Sequence, residues 1–149
     1  MTNCRGGAVH FAGGGNWGGL FGELCPNLLT FADVHETRCT DMIRVFLTGY
    51  MGAGKTTLGK ALARALGVPF IDLDWYVEER FHKSIPELFA ERGESGFREL
   101  ERNMLHEAGE FEDVVISTGG GTPCFFDNMD YMNAQGLTVF LDVPVEVLF

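Results

Sequence analysis

Apolar and polar positions fall into blocks along most of the chain, each about as long as one structural element. The run Ile43-Arg44-Val45-Phe46-Leu47-Thr48-Gly49 reads as a buried strand entering a loop. From Thr56 to Leu66 the apolar positions Leu58, Leu62 and Leu66 lie on one helical face, and Gly67 stops the helix as a C′ glycine. Val68-Pro69-Phe70-Ile71-Asp72 predicts a second short strand, ending in Asp72-Leu73-Asp74. Ser84-Ile85-Pro86-Glu87 has the form of a capping box, so a helix begins at Ile85. Gly93 and Gly96 interrupt it, and a second helix runs through Phe97, Leu100, Met104 and Leu105 to about Gly109. Val114-Val115-Ile116-Ser117 is a third strand, followed by Gly119-Gly120-Gly121. A short helical piece around Asn128 to Ala134 leads to a fourth strand, Leu137 to Leu141. Strands alternating with helices predict an α/β fold with a parallel sheet covered on both faces, and ligands at the carboxyl ends of its strands.

The pattern changes near Met42. Residues 1–41 contain no lysine and eight of the 20 glycines, and they sustain no period of 2 or 3.6. This segment is either a genuine flexible arm or sequence without evolved structure, from an overextended reading frame or a fusion; composition favours the second. The expected organisation is therefore a non-homologous, disordered extension over 1–41 and one domain over 42–149.

Composition narrows the function classes. The 46% hydrophobic and 21% charged residues suit a soluble globular chain, with no run of 18 apolar residues and no signal-peptide core at the N-terminus. A net charge of -10 argues against nucleic-acid partners. Cys4, Cys25, Cys39 and Cys124 show neither a C-x-x-C pair nor metal-ligand spacing, and read as ordinary thiols of a cytoplasmic protein.

Gly49-Tyr50-Met51-Gly52-Ala53-Gly54-Lys55-Thr56 fits G-x-x-x-x-G-K-[ST], between an apolar strand and an amphipathic helix. Its glycines let consecutive N–H groups turn toward phosphate oxygens, and the helix N-terminus adds the positive end of its dipole. Gly52, Ala53, Gly54, Lys55, Thr56 and Thr57 are thus the candidate ATP-binding residues. Lys55 would reach the β- and γ-phosphates, and the Thr56 hydroxyl would bind Mg²⁺.

Three further elements follow in order: Asp72-Leu73-Asp74, Phe97-Arg98-Glu99-Leu100-Glu101, and Ser117-Thr118-Gly119-Gly120-Gly121-Thr122. Together with the phosphate loop they resemble the motif set of shikimate kinase, from about Ile43 to Phe149. The resemblance implies a P-loop NTPase fold of three α/β/α layers, its core strands in the order 2-3-1-4. It implies transfer of the γ-phosphoryl of ATP to shikimate, giving shikimate 3-phosphate for aromatic amino-acid biosynthesis, in a cytoplasmic monomer without membrane or nucleic-acid partners. Lys55 and Asp74 would be catalytic, with Asp74 orienting the attacking hydroxyl or accepting its proton. Arg98 would clamp the carboxylate of shikimate with its planar fork, steadied by Glu101 one turn on. Gly119, Gly120 and Gly121 would leave room beside the acceptor, and Asp72 would hold Mg²⁺ through water.

Members of that family continue past the point matching Phe149 with an arginine-bearing lid, a fifth strand, a second carboxylate-binding arginine and an adenine loop. The expectation for these 149 residues is a sheet lacking its fifth strand and a fragment that binds phosphate but turns over poorly. Two alternatives stay open: a P-loop kinase of another polyol acid such as gluconate, and a catalytically silent nucleotide-binding fragment.

Overall fold

The structure, a computed structural model, describes the backbone of residues 9–12 and the whole of residues 42–144. Its strands are β1 (Val9–Ala12), β2 (Arg44–Gly49), β3 (Phe70–Asp72), β4 (Val114–Ser117) and β5 (Leu137–Asp142). Its helices are α1 (Lys55–Leu66), α2 (Leu73–Phe81), α3 (Ile85–Gly109) and α4 (Asn128–Gln135), with a 3₁₀ turn at Thr122–Cys124. All strand pairs are parallel, in the order β1-β5-β2-β4-β3. The four core strands thus stand in the expected 2-3-1-4 order.

Side chains that alternate along β2 and β4 divide the core between the two faces. Phe46, Val114 and Ile116 pack with Leu73, Val77, Leu88, Leu100, Leu105 and Met132 from α2, α3 and α4. Val45, Leu47 and Val115 pack with Ala63 of α1. Each fully buried side chain of this size contributes about 1.5–3 kcal/mol of burial free energy. Helix α1 lies close on its face because position 59 is glycine: a Cβ there would come within 2.3 Å of the Phe70 ring and 3.0 Å of Leu47. That approach brings the start of α1, and the loop before it, over the ends of β2 and β3.

Four expectations need correction. First, the sheet has a strand that was not anticipated, distinct from the fifth strand that the family carries past the point matching Phe149: β1 pairs with β5 from Val9 opposite Val139 to Ala12 opposite Asp142. The expected disorder of 1–41 therefore does not hold for residues 9–12, a short β-prone run that satisfies the outer edge of β5. The remaining residues of that segment, with Cys4, Cys25 and Cys39, lie outside the described residues, as do residues 145–149. Second, Asp72-Leu73-Asp74 is not simply a strand end. Asp72 caps α2, its Oδ1 accepting the Asp74 N–H at 3.2 Å, so Asp74 stands in the first helical turn. Third, helix α2 itself was not anticipated between Leu73 and Phe81. Fourth, Gly93 alone breaks α3 (φ 69°, ψ 177°), whereas Gly96 is helical and sits against Arg92, where a Cβ would be 2.9 Å away. The capping box at the start of α3 is formed, the Ser84 N–H and hydroxyl both donating to Glu87 Oε2 at 2.8 and 2.7 Å.

Candidate functional site

Strand β2 ends at Gly49, and residues 50–54 lead directly into α1. Gly52 and Gly54 take φ values of 82° and 86°, a left-handed backbone that lets the loop curl over the helix start. A Cβ at either position would meet nothing within 4 Å, so the requirement there is for backbone conformation. Lys55 is buried, and its Nζ donates to Gly49 O and Tyr50 O, each at 2.8 Å. Burial pushes its pKa below the usual lysine value, against the opposing pull of Asp74 and Asp72. Half-buried Ala53 donates its N–H to Tyr50 O at 3.1 Å, and Thr57 lies exposed on the first turn of α1.

The two residues expected near Mg²⁺ are in contact: Thr56 Oγ1 donates to Asp72 Oδ2 at 2.8 Å. A hydroxyl and a carboxylate side by side are hard oxygen donors of the kind Mg²⁺ takes along with water and phosphate oxygens. Asp74 lies next to this pair. Desolvation raises its pKa, the Asp72 and Glu101 carboxylates add to the rise, and Lys55 only partly offsets it. That shift moves Asp74 toward the range in which a carboxylate accepts a proton usefully near neutral pH.

On the other side, α3 presents Arg98, Glu101 and Arg102 at helical spacing toward the loop after β4. Glu101 is 2% exposed and accepts from two directions, Arg98 Nη1 on Oε2 at 2.8 Å and Thr122 Oγ1 on Oε1 at 2.6 Å. Asn128, also fully buried, holds the far end of the turn by donating Nδ2 to Thr122 O at 2.8 Å. Arg102 grips the carboxylate of Asp127 with Nε and Nη2 at 2.8 and 3.1 Å. Within this network Arg98 Nε is buried and has no partner among the described residues. Asn128 Oδ1 is likewise buried without a partner among the described residues, and an orphaned buried donor such as Arg98 Nε is costly unless a ligand completes it.

Between the two sides lies Gly119-Gly120-Gly121. A Cβ on Gly119 would fall 2.8 Å from Glu101 Oε1, 3.0 Å from Thr122 Oγ1 and 3.1 Å from Asp74 Oδ1. One on Gly120 would lie 3.4 Å from Met51 N, and one on Gly121 3.0 Å from Arg98 Nη2. None of the three has a positive φ, so here glycine provides space.

The structure thus brings Lys55, Thr56, Asp72, Asp74, Arg98 and the three glycines into one neighbourhood, while Thr57 stands exposed on the first turn of α1. Sequence reasoning missed Thr122, Phe125 and Asn128, although a hydroxyl directly after three glycines and an Asn opening a helix are visible signals. His106 stacks on Tyr131 with ring centroids 3.8 Å apart, and His82 closes α2.

The sequence model of the shikimate kinase family matches residues 51–149. Over 108 residues the chain is 81% identical to a shikimate kinase of Bacteroides fragilis, covering 72% of this chain and 60% of that protein. It is similar to the crystal structure of shikimate kinase from Bacteroides thetaiotaomicron, with a TM-score of 0.72 and 76% identity over 72% of this chain and 61% of the other. The shikimate kinase of Acinetobacter baumannii in complex with shikimate gives a TM-score of 0.69 at 38% identity, over 72% of this chain and 60% of the other. The chain thus spans about three fifths of the length of these relatives. With its phosphate loop, the Arg98–Glu101 pair and the three-glycine loop assembled in one cleft, the chain belongs to the shikimate kinase family.

Proposed function

We propose that the protein transfers the γ-phosphoryl group of ATP to a hydroxyl of shikimate. One observation carries this reading: three consecutive glycines touch all three working parts of the cleft. Gly119 adjoins Asp74, Gly120 adjoins the phosphate loop at Met51, and Gly121 adjoins Arg98. Donor phosphates and an acceptor held there would be only a few ångströms apart, and catalysis would come mainly from positioning and charge neutralisation.

In this reading the carboxylate of shikimate pairs with Arg98, whose Nε has no other partner among the described residues. The acceptor hydroxyl lies beside Asp74, which accepts its proton as the oxygen bonds to the γ-phosphorus and the bond to the β,γ-bridging oxygen breaks. ADP and shikimate 3-phosphate leave. Lys55 would give up its carbonyl partners Gly49 and Tyr50 for the phosphate oxygens. Thr56 and Asp72 would hold Mg²⁺, which neutralises phosphate charge when bound. The Bacteroides fragilis relative, named as a shikimate kinase, argues against a gluconate-type acceptor. Among the described residues no helix is long and apolar enough to cross a membrane. A cytoplasmic monomer completes the reading, and the negative net charge argues against a nucleic-acid partner.

The test is ADP release from Mg-ATP by the 149-residue chain, with shikimate, with gluconate and with neither. Release that is slow but depends on shikimate alone is the expected result. ATP binding without acceptor-dependent release would instead identify a silent nucleotide-binding protein, and release with gluconate would move the acceptor assignment.

A further inference from the structure

The guanidinium of Arg98 is restrained in its plane by Glu101, but a single in-plane ion pair leaves it free to tilt. Its face is covered by a residue that the motif set does not contain. The Cζ of Arg98 lies 4.1 Å from the ring centroid of Phe125, a stacking distance, compared with 5.7 Å for Phe89 and 5.6 Å for Phe97. Phe89 and Phe97 stack on each other at 4.1 Å and form the wall beside it.

The fold holds Phe125 in that position from both sides. The 3₁₀ turn before it is anchored by the Thr122 hydroxyl on Glu101, and Asn128 N–H donates to Phe125 O at 3.3 Å. The next residue, Phe126, takes a left-handed φ of 51°, which turns the chain away immediately after the stacked ring. Arg102 then grips Asp127. Thus α3 residues at i, i+3 and i+4 each hold a successive part of one loop.

We propose that Phe125 is a positioning residue for the acceptor: it fixes the tilt of the Arg98 guanidinium so that the unpartnered Nε–H and Nη2 are presented together to a carboxylate. This rests on the reading of Arg98 as the shikimate carboxylate ligand. The ring of Phe125 acts on Arg98, so its influence is on acceptor affinity. Leucine at this position fills similar space without an aromatic face, whereas tyrosine and tryptophan restore the face.

The experiment follows the Arg98 Nε–H resonance by NMR, assigned by its loss in Arg98→Lys, and measures shikimate binding by calorimetry. Wild type, Phe125→Leu and Phe125→Tyr are compared. A ring stacked on the guanidinium shifts that resonance upfield and slows its exchange. Phe125→Leu is expected to lose both effects and to bind shikimate about tenfold more weakly, with ATP affinity unchanged, while Phe125→Tyr restores each. An Arg98 resonance that Phe125→Leu does not move overturns the inference, whatever happens to binding. Equal shikimate affinity in wild type and Phe125→Leu also overturns it. An Arg98 signature that responds as expected, in a wild-type chain that binds no shikimate, overturns the acceptor assignment and leaves the stacking in place.

Discussion

Two glycine-rich loops border the cleft, and they use glycine for opposite reasons. In the phosphate loop Gly52 and Gly54 sit in open space but in left-handed backbone, so a side chain would fit and the conformation would not. In the loop after β4, Gly119 and Gly121 have ordinary backbone but no room, because Glu101, Thr122, Asp74 and Arg98 already fill the positions a Cβ would take. The first loop is built largely from its own residues: Lys55 ties back to Gly49 and Tyr50, and Thr56 alone makes a distant side-chain bond, to Asp72. The second is shaped by α3, twenty or so residues earlier in the chain, through a partly buried ion pair and a buried hydroxyl. A site for a common donor is self-contained, whereas the site for a particular acceptor depends on tertiary packing.

If this division is right, changes on the two sides should separate activity from stability. Lys55→Met removes the buried charge that would meet the transferring phosphoryl group. Shikimate-dependent ADP release should fall by on the order of 10³, roughly 4 kcal/mol, with the urea midpoint little changed. Glu101→Ala should do the reverse first. It strands the Arg98 charge and the Thr122 hydroxyl in a nearly closed site, for an expected loss of about 3 kcal/mol in urea unfolding. If Lys55→Met destabilised the fold as much as Glu101→Ala, the contrast between a self-contained loop and a packed one would fail.

The glycines give a finer comparison. Gly54→Ala forces a Cβ into left-handed backbone at the start of α1, costing about 1–2 kcal/mol, and Gly54→Asn should recover most of that because Asn tolerates the conformation. At Gly119 the order should invert. Alanine presses on three oxygen atoms and lowers shikimate affinity, while the larger asparagine does worse. Thermal melts and shikimate titrations of the four variants decide it. Asparagine rescuing at both positions would show that the loops are alike after all.

The same contrast explains what could be read from sequence. A loop whose partners are its own neighbours appears as a motif, and the residues from Gly52 to Thr57 lie where the motif placed them. Arg98, Glu101 and the three glycines were legible as a set. Their meeting point was not, because Thr122, Phe125 and Asn128 become partners of α3 only when the sheet brings β4 beside it. Helix α2 was missed although Leu73, Val77 and Phe81 recur every four residues, because Asp72-Leu73-Asp74 read as the end of a strand rather than as a cap and a first turn. Strand β1 was missed for a different reason. Four residues between glycine runs carry almost no periodic signal, and only the open edge of β5 gives them a place.

The smallest expected effect concerns Asp74, where the two sides meet. Its folded-state pKa is raised, chiefly by desolvation and then by Asp72 and Glu101, so the charged form is disfavoured in the folded protein. A raised carboxylate contributes stability below its ordinary value near 3.8, and that contribution is lost as the pH climbs through the folded value. At pH 7 the wild-type chain therefore carries a penalty that Asp74→Asn removes. The carboxylate reaches solvent and is screened, which limits the expected gain to a few tenths of a kcal/mol. Urea unfolding of the two proteins at pH 7 and at successively lower pH should show the variant's advantage shrinking and vanishing below about pH 3.8. Shikimate-dependent turnover should fall in the same variant, because the group that weakens the fold is the one that takes the acceptor's proton. An advantage that grew toward acid would mean that Asp74 is stabilised as a carboxylate. The cleft would then be held together by its charge, and Asp74 would be a poor proton acceptor.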